Sequence, residues 1–366
     1  MLAALVPTVT SWRAPAAGLH RSWSDDDAVS GADVSYTAAS LIVGGEATGD
    51  AFGQSMVFLD DVDGDGNGEI ASGAALSDRE DDDGGCVYVF DLYSSSAAYT
   101  GTQNVNTMKE GRIEGDSEDG FFGYSLAAGD FDADGDIDLA GGAPGISDRR
   151  GRVYGYLYTD GYTNSDLDLG DATTHPRGAT NSDGLGTALA AGDFDGDGTD
   201  DLVACAPGYD SGSTASIGIC YFVTGTDFLA ADDDNLRDHD TANFTGTVAS
   251  DALGSGPLSV GADDLDADGI DDLVLGMPGY DGASTGSGAV LVQYGGSWTG
   301  TYTITSVDAV IYGDGALGTS VNLPGDIDGD GQADLLLGAP TSGLGGLVYL
   351  ASGDVLGSVT LPDSQL

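Results

Sequence analysis

Apolar residues in this chain come in short runs separated by turn residues, without the three-and-four spacing that marks a long amphipathic helix. One run alternates, as in Tyr124-Ser-Leu-Ala-Ala128. The next is nearly continuous and ends in a Gly-Ala-Pro type turn. A third follows a Gly and carries aromatic residues, as in Gly151-Arg-Val-Tyr-Gly-Tyr-Leu157. A linker of Ser, Thr, Asp and Gly comes next, and a short strand ending in Gly closes the unit, as in Arg112-Ile-Glu-Gly115. Alternating runs fit strands covered on one face, and continuous ones fit strands covered on both. The pattern predicts an all-β chain with four short strands per repeated unit, which is the build of a propeller blade.

Between the first and second strand of each unit lies a nine-residue acidic loop. Its five copies carry Asp61, Asp63, Asp65 and Glu69; Asp130, Asp132, Asp134 and Asp138; Asp193, Asp195, Asp197 and Asp201; Asp264, Asp266, Asp268 and Asp272; and Asp326, Asp328, Asp330 and Asp334. Gly stands at position six each time, and the loops begin at residues 61, 130, 193, 264 and 326, a repeat of 62 to 71 residues. Periods of this size denote arrays of supersecondary units. Two bare carboxylates about 4 Å apart repel by roughly 4 kcal/mol at an effective dielectric near 20, and each loop gathers four of them. A hard, oxygen-seeking ion such as Ca2+ removes that repulsion, so up to five calcium ions are expected. An EF-hand is excluded, because position twelve is Ser72, Gly141, Ala204, Leu275 or Leu337 rather than a carboxylate.

A Phe/Leu-Gly pair precedes each loop (Phe52-Gly53, Phe122-Gly123, Leu185-Gly186, Leu253-Gly254, Leu317-Gly318). A Gly-Ala-Pro type turn follows it (Gly73-Ala-Ala75, Gly142-Ala-Pro144, Cys205-Ala-Pro207, Gly276-Met-Pro278, Gly338-Ala-Pro340). With the acidic loop between them, these signatures resemble FG-GAP repeats, the blade units of integrin alpha-subunit β-propellers and of many bacterial surface proteins. The resemblance covers residues 41–366. It implies a propeller with the metal in the hairpin between the first two strands of each blade. It also implies a main-chain carbonyl ligand at the seventh position, from Asn67, Asp136, Thr199, Ile270 and Gln332. Glu69 departs from the pattern and makes the first site the least secure. Propellers of this family commonly have seven blades, which leaves two readings: a ring closed by five, or a piece of a larger ring.

Leu41-Ile-Val-Gly-Gly45 aligns with Arg112-Ile-Glu-Gly115 and Val310-Ile-Tyr-Gly313, while the fifth unit shows no closing strand of its own. The expectation is therefore that the 41–45 strand closes the last blade by pairing with the C-terminal strands. Residues 1–40 carry no loop motif and are expected to be a disordered lead or the remnant of an earlier blade.

Charge narrows the partners. The 366 residues carry 61 acidic against ten basic side chains, a formal charge of −51 that five divalent ions would only bring to −41. Nucleic acid and anionic membranes are disfavoured as partners, and no apolar stretch is long enough to span a membrane. The triplets Asp81–Asp83 and Asp232–Asp234 read as solvated turns. The three cysteines leave two readings open: a pair between Cys205 and Cys220, or small buried fillers throughout. His20, His175 and His239 fall in linkers, so no catalytic constellation is expected.

The expected function is a calcium-stabilised binding or adhesion module without catalytic activity. It would be secreted or at the cell surface, taking a protein or glycan ligand through variable linkers such as Tyr158 to His175 and Tyr280 to Gly286. The localisation rests on the calcium loops, since no clear signal peptide is present. The alternatives are a purely structural spacer of a larger surface protein, or the non-catalytic propeller of a secreted enzyme.

Overall fold

The computed structural model describes residues 41–94, 97–163, 165–282, 285–327, 329, 332–342, 345–353, 355 and 357–361. The expected lead segment, residues 1–40, lies outside them. The described chain is all-β apart from short helical turns such as Gly225–Ala230.

Each unit begins with a meander of three antiparallel strands. The first strands are Phe52–Phe58, Leu126–Gly129, Ala188–Gly192, Val260–Asp263 and Ser320–Gly325. The second are Glu69–Ala74, Asp138–Ala143, Asp201–Ala206, Asp272–Met277 and Asp334–Ala339. The third are Cys86–Asp91, Arg152–Tyr156, Ile219–Val223, Ala289–Gln293 and Leu347–Ser352. A fourth strand joins in units one (Lys109–Glu114), three (Ala242–Thr245) and four (Ala309–Tyr312). In unit two that place is held by isolated bridges, Thr174 to Gly155 and Arg177 to Arg152. In unit five no fourth strand pairs with Leu347–Ser352 among the described residues.

Every later unit also lends backbone to its predecessor. Asp166–Asp168, from the linker of unit two, runs parallel to Lys109–Glu114 of unit one. Gly300–Tyr302 does the same for Ala242–Thr245, and Gly357–Thr360 for Ala309–Tyr312. A single parallel bridge from Asn235 to Arg177 repeats the arrangement between units three and two. The linkers are therefore straps as well as loops, because their backbone groups find partners on a neighbouring sheet edge.

The 41–45 strand corrects one expectation. Leu41–Gly44 lies parallel to Gly101–Asn104, the outer strand of unit one, and pairs with no C-terminal strand among the described residues. Local contacts seat it there. Asn104 Nδ2 donates to the Gly45 carbonyl at 2.9 Å, and Glu46 accepts from Arg79 and from Tyr88 Oη. Leu41 and Val43 pack on the cluster of Tyr88 and Phe90.

The core sits between units. Side chains of units one and two share one buried cluster, two and three the next, three and four a third, four and five a fourth. Phe122, Leu185, Leu253 and Leu317, the apolar halves of the Phe/Leu-Gly pairs, are each fully buried in these clusters. The first strands of all five units border one cavity of about 210 Å3, among whose lining residues are Met56, Leu126, Leu189, Val260 and Val321.

Cys205 and Cys220 are direct cross-strand partners and form a disulfide, which settles the open reading; Cys86 is free and buried. Closing a loop of this separation stabilises by about 3 kcal/mol in the chain-entropy account.

Candidate metal centres

Each acidic loop is a tight hairpin between the first and second strands of its unit, and backbone N–H groups aim its carboxylates. The N–H of position six donates to the carboxylate of position one: Gly66 to Asp61 at 2.9 Å, Gly135 to Asp130 at 3.0 Å, Gly198 to Asp193 at 3.0 Å and Gly269 to Asp264 at 2.9 Å. These glycines have φ between 89° and 97°, a left-handed conformation that side-chain-bearing residues rarely adopt. The N–H of position five reaches position three, as from Asp134 to Asp132 at 3.1 Å, and that of position seven reaches position five, as from Thr199 to Asp197 at 2.8 Å.

The ninth residue begins the second strand and is buried. Glu69, Asp138, Asp201, Asp272 and Asp334 each accept from the N–H of position two of their own loop, at 2.7 to 3.2 Å. Burial pushes the Glu69 and Asp201 carboxyls up to about 8 and those of Asp138 and Asp272 up to about 7, with nearby loop carboxylates adding to the shift. Asp132, Asp195 and Asp266 at position three are also raised, first by burial. Negative charge at these positions calls for a compensating cation.

Oxygen atoms converge within 4.8 Å of one another in four loops. The sets are Asp61, Asp63 and Glu69; Asp130, Asp132 and Asp138; Asp193, Asp195 and Asp197; and Asp264, Asp266 and Asp272. Asp134, Asp201 and Asp268 belong to the same loops but fall outside those sets. In the fifth loop Asp328 and Asp330 lie outside the described residues, while Asp326 accepts from Gly329 and Asp334 from Ile327.

The first loop is better furnished than its Glu69 suggests. A further set joins Asp65 and Glu69 to Asp91, the cross-strand partner of Glu69 on the third strand. Glu110 stands close enough for Asp63, Asp91 and Asp65 to raise its carboxyl, after burial, to about 7. Glu69 Oε1 is buried with no hydrogen-bond partner. An orphaned buried carboxylate oxygen amid all-oxygen donors fits a hard divalent cation. Asp91 and Glu110 do not stand out in the sequence, because nothing in a linear spacing brings them to the loop.

Two acids at position eight connect neighbouring loops. Asp200 accepts from the Asp130 N–H at 2.8 Å and its own N–H donates to the Asp130 carbonyl at 3.0 Å. Asp271 makes the same reciprocal pair with Asp193, at 3.0 and 3.1 Å. Burial raises both carboxyls, that of Asp271 to about 6.

Away from the loops, Asp232–Asp234 is not merely a solvated turn. Asp232 pairs with His175 at 2.8 Å, Asp233 with Arg152 at 2.8 Å, and Asp234 with His239 at 3.3 Å. The Arg152 hydrogen bond holds the Asp233 carboxyl below its usual range.

A family model described as FG-GAP repeat matches residues 122–156, 185–218 and 318–360, within units two, three and five. The chain therefore carries FG-GAP repeats. Its relatives include phosphatidylinositol-glycan-specific phospholipase D of Rattus norvegicus, 34% identical over 169 residues, 44% of this chain and 19% of that protein. Integrin alpha-PS2 of Drosophila melanogaster is 28% identical over 187 residues, 49% of this chain and 12% of its own length. Integrin alpha-IIb of Homo sapiens is 32% identical over 228 residues, 60% of this chain and 20% of its own. This chain thus spans 12 to 20% of the length of these relatives. Among solved structures, the V. cholerae biofilm matrix protein Bap1 aligns over 82% of this chain and 37% of its own, with a TM-score of 0.36 and 14% identity. No helix among the described residues is long and apolar enough to cross a membrane.

Proposed function

We propose that this chain is a calcium-stabilised, non-catalytic binding module of the cell surface or secreted space. Its five units act as propeller blades about a common axis, and a protein or glycan binds on their loops. The observation that carries the reading is the buried ninth carboxylate of each acidic loop, with Glu69 Oε1 left without a donor. Calcium suits the site because it accepts six to eight oxygens at about 2.3–2.6 Å. The carbonyls of Asn67, Asp136, Thr199, Ile270 and Gln332 would complete the shells. Integrin relatives and the excess of acidic over basic side chains support an extracellular setting.

Native mass spectrometry of the whole chain, with calcium and with chelator, tests the ion reading. The expected result is up to five bound ions and a melting temperature that falls on chelation; unchanged mass and melting would refute it. Binding to immobilised matrix proteins and glycans, compared with and without calcium, tests the ligand reading separately.

A further inference from the structure

At the base of its acidic loop, unit one departs from units two, three and four. In those three the buried ninth carboxylate is held from both sides. One oxygen accepts from position two of the loop, and the other from a backbone N–H just beyond the third strand: Tyr158 to Asp138 at 2.9 Å, Gly225 to Asp201 at 3.2 Å and Gly295 to Asp272 at 2.6 Å. In unit one the ninth residue is Glu69, whose Oε2 accepts from the Val62 N–H at 2.9 Å while its buried Oε1 has no hydrogen-bond partner. The one methylene by which Glu exceeds Asp coincides with the loss of that backbone donor.

Acid stands where the donor is missing. Asp91, the cross-strand partner of Glu69, is buried, and the register sets Leu157, Thr224 and Tyr294 at the matching place in units two, three and four. Asp65 joins Glu69 and Asp91 in a set of oxygens within 4.8 Å of one another. That set is separate from the one of Asp61, Asp63 and Glu69, which already repeats positions one, three and nine of loops two and four.

Glu110 arrives from the fourth strand. Pairing there slips between Val89 opposite Gly111 and Phe90 opposite Lys109, so Glu110 is the extra residue of a β-bulge, a local device that re-aims a side chain. Its Oε2 is buried and also lacks a hydrogen-bond partner. Asp63, Asp91 and Asp65 act on its carboxyl electrostatically, which places it at the same loop. The linker of unit two covers this strand, since a Cβ on Gly111 would lie 2.0 Å from the Tyr162 carbonyl oxygen.

The basic residues of unit one are committed elsewhere: Arg79 to Glu46 and Glu114, Lys109 to Asp166, and Arg112 to Glu114 and Asp166. Asp91 and Glu110 thus add two negative charges to the four at the ligand positions of loop one, a load that one further divalent ion offsets. Two carboxylate oxygens buried without donors are unfavourable unless a cation meets them.

We propose that loop one holds a second hard divalent cation, between Asp65, Glu69, Asp91 and Glu110, with the Glu69 carboxylate shared by the two ions. The proposal rests on the reading of the acidic loops as calcium sites and adds one ion to those the loops hold by themselves. Four carboxylates, with no nitrogen or sulfur donor among them, select oxygen-seeking ions such as Ca2+ or Mn2+. The second ion ties the loop to the third strand, a task performed by a backbone N–H in units two to four, and to the fourth strand as well.

The test uses the whole chain, stripped with chelator and reloaded with Mn2+ as a paramagnetic probe. Two ions that share a carboxylate lie roughly 4 Å apart, as in other two-metal sites, and their electron spins couple. Electron paramagnetic resonance should therefore show a coupled pair beside isolated ions. Asp91→Asn combined with Glu110→Gln should abolish the coupled signal and lower the number of bound ions per chain by one. Asp132→Asn, in loop two, should leave the coupled signal in place. Circular dichroism checks that the variants fold. Where the double change unfolds the chain, Glu110→Gln alone carries the test, and its coupled signal should need about tenfold more Mn2+ or fail to appear. Ions bound without any coupled signal overturn the proposal and leave the calcium reading standing, as does a coupled signal indifferent to these changes. A chain that binds no ion at all overturns both.

Discussion

At the scale of single residues, the buried ninth carboxylates of the first four acidic loops decide how the chain responds to pH. Glu69 and Asp201, raised to about 8, and Asp138 and Asp272, raised to about 7, hold protons in the folded chain that they would release when unfolded. Without a cation, the folded state then binds more protons than the unfolded one between about pH 4 and about pH 8, so stability falls as pH rises through that window. In chelator the melting temperature should drop from about pH 5 to about pH 8, and Asp138→Asn with Asp201→Asn should flatten the drop. Saturating calcium should remove it, since the ion takes the role of the proton. Calorimetric melts across this range check the claim, which a chelated chain more stable at the alkaline end contradicts. The clustering of the loop carboxylates was legible in the sequence because all four of a set belong to one short loop. Asp91 and Glu110 were not, since a third-strand end and a fourth strand reach the first loop only through sheet pairing. Asp200 and Asp271 were visible as acids, but their hold on the preceding loop depends on how two units are placed.

At the scale of elements, the flanking signatures are read out as close approach. The Gly-Ala-Pro glycine is required where another unit's carbonyl presses on it, not where it merely turns the chain. Gly142→Ala should cost about 1–3 kcal/mol or more, because its Cβ meets backbone that has no slack. Gly345→Ala, with nothing within 4 Å and no left-handed φ, should leave urea denaturation unchanged. Equal effects of the two would show that the junction is looser than described. Three strands per unit were legible from the apolar runs. The outer strands were not: Asp166-Leu-Asp168 and Gly300-Thr-Tyr302 are polar and brief, and only an open edge on the preceding sheet makes strands of them. The same limit hid the pairing of the 41–45 strand with Gly101–Asn104, which is equally polar and brief.

At the scale of the whole molecule, a formal charge of −51 opposes compaction, and divalent cations in the acidic loops would offset only part of it. In chelator, raising sodium chloride to about 1 M shortens the screening length to about 3 Å and should raise the melting temperature markedly. With calcium bound the same salt should add less, because the densest charge clusters are already neutralised. A chelated chain whose melting ignores salt would show that repulsion is not what the ions relieve.

The outer strands bear on how such a chain can be taken apart. Because Asp166–Asp168, Gly300–Tyr302 and Gly357–Thr360 each lie in the sheet of the unit before their own, these three seams are crossed twice, once by the connecting polypeptide and once by the borrowed strand. Severing the connection alone, as a protease would in the exposed stretch Thr247–Ser250 between units three and four, leaves the pieces interlocked. Excising one unit would strip a neighbour of its border while leaving the excised piece with an unattached ribbon, so the smallest self-sufficient portion of this protein is larger than its repeat.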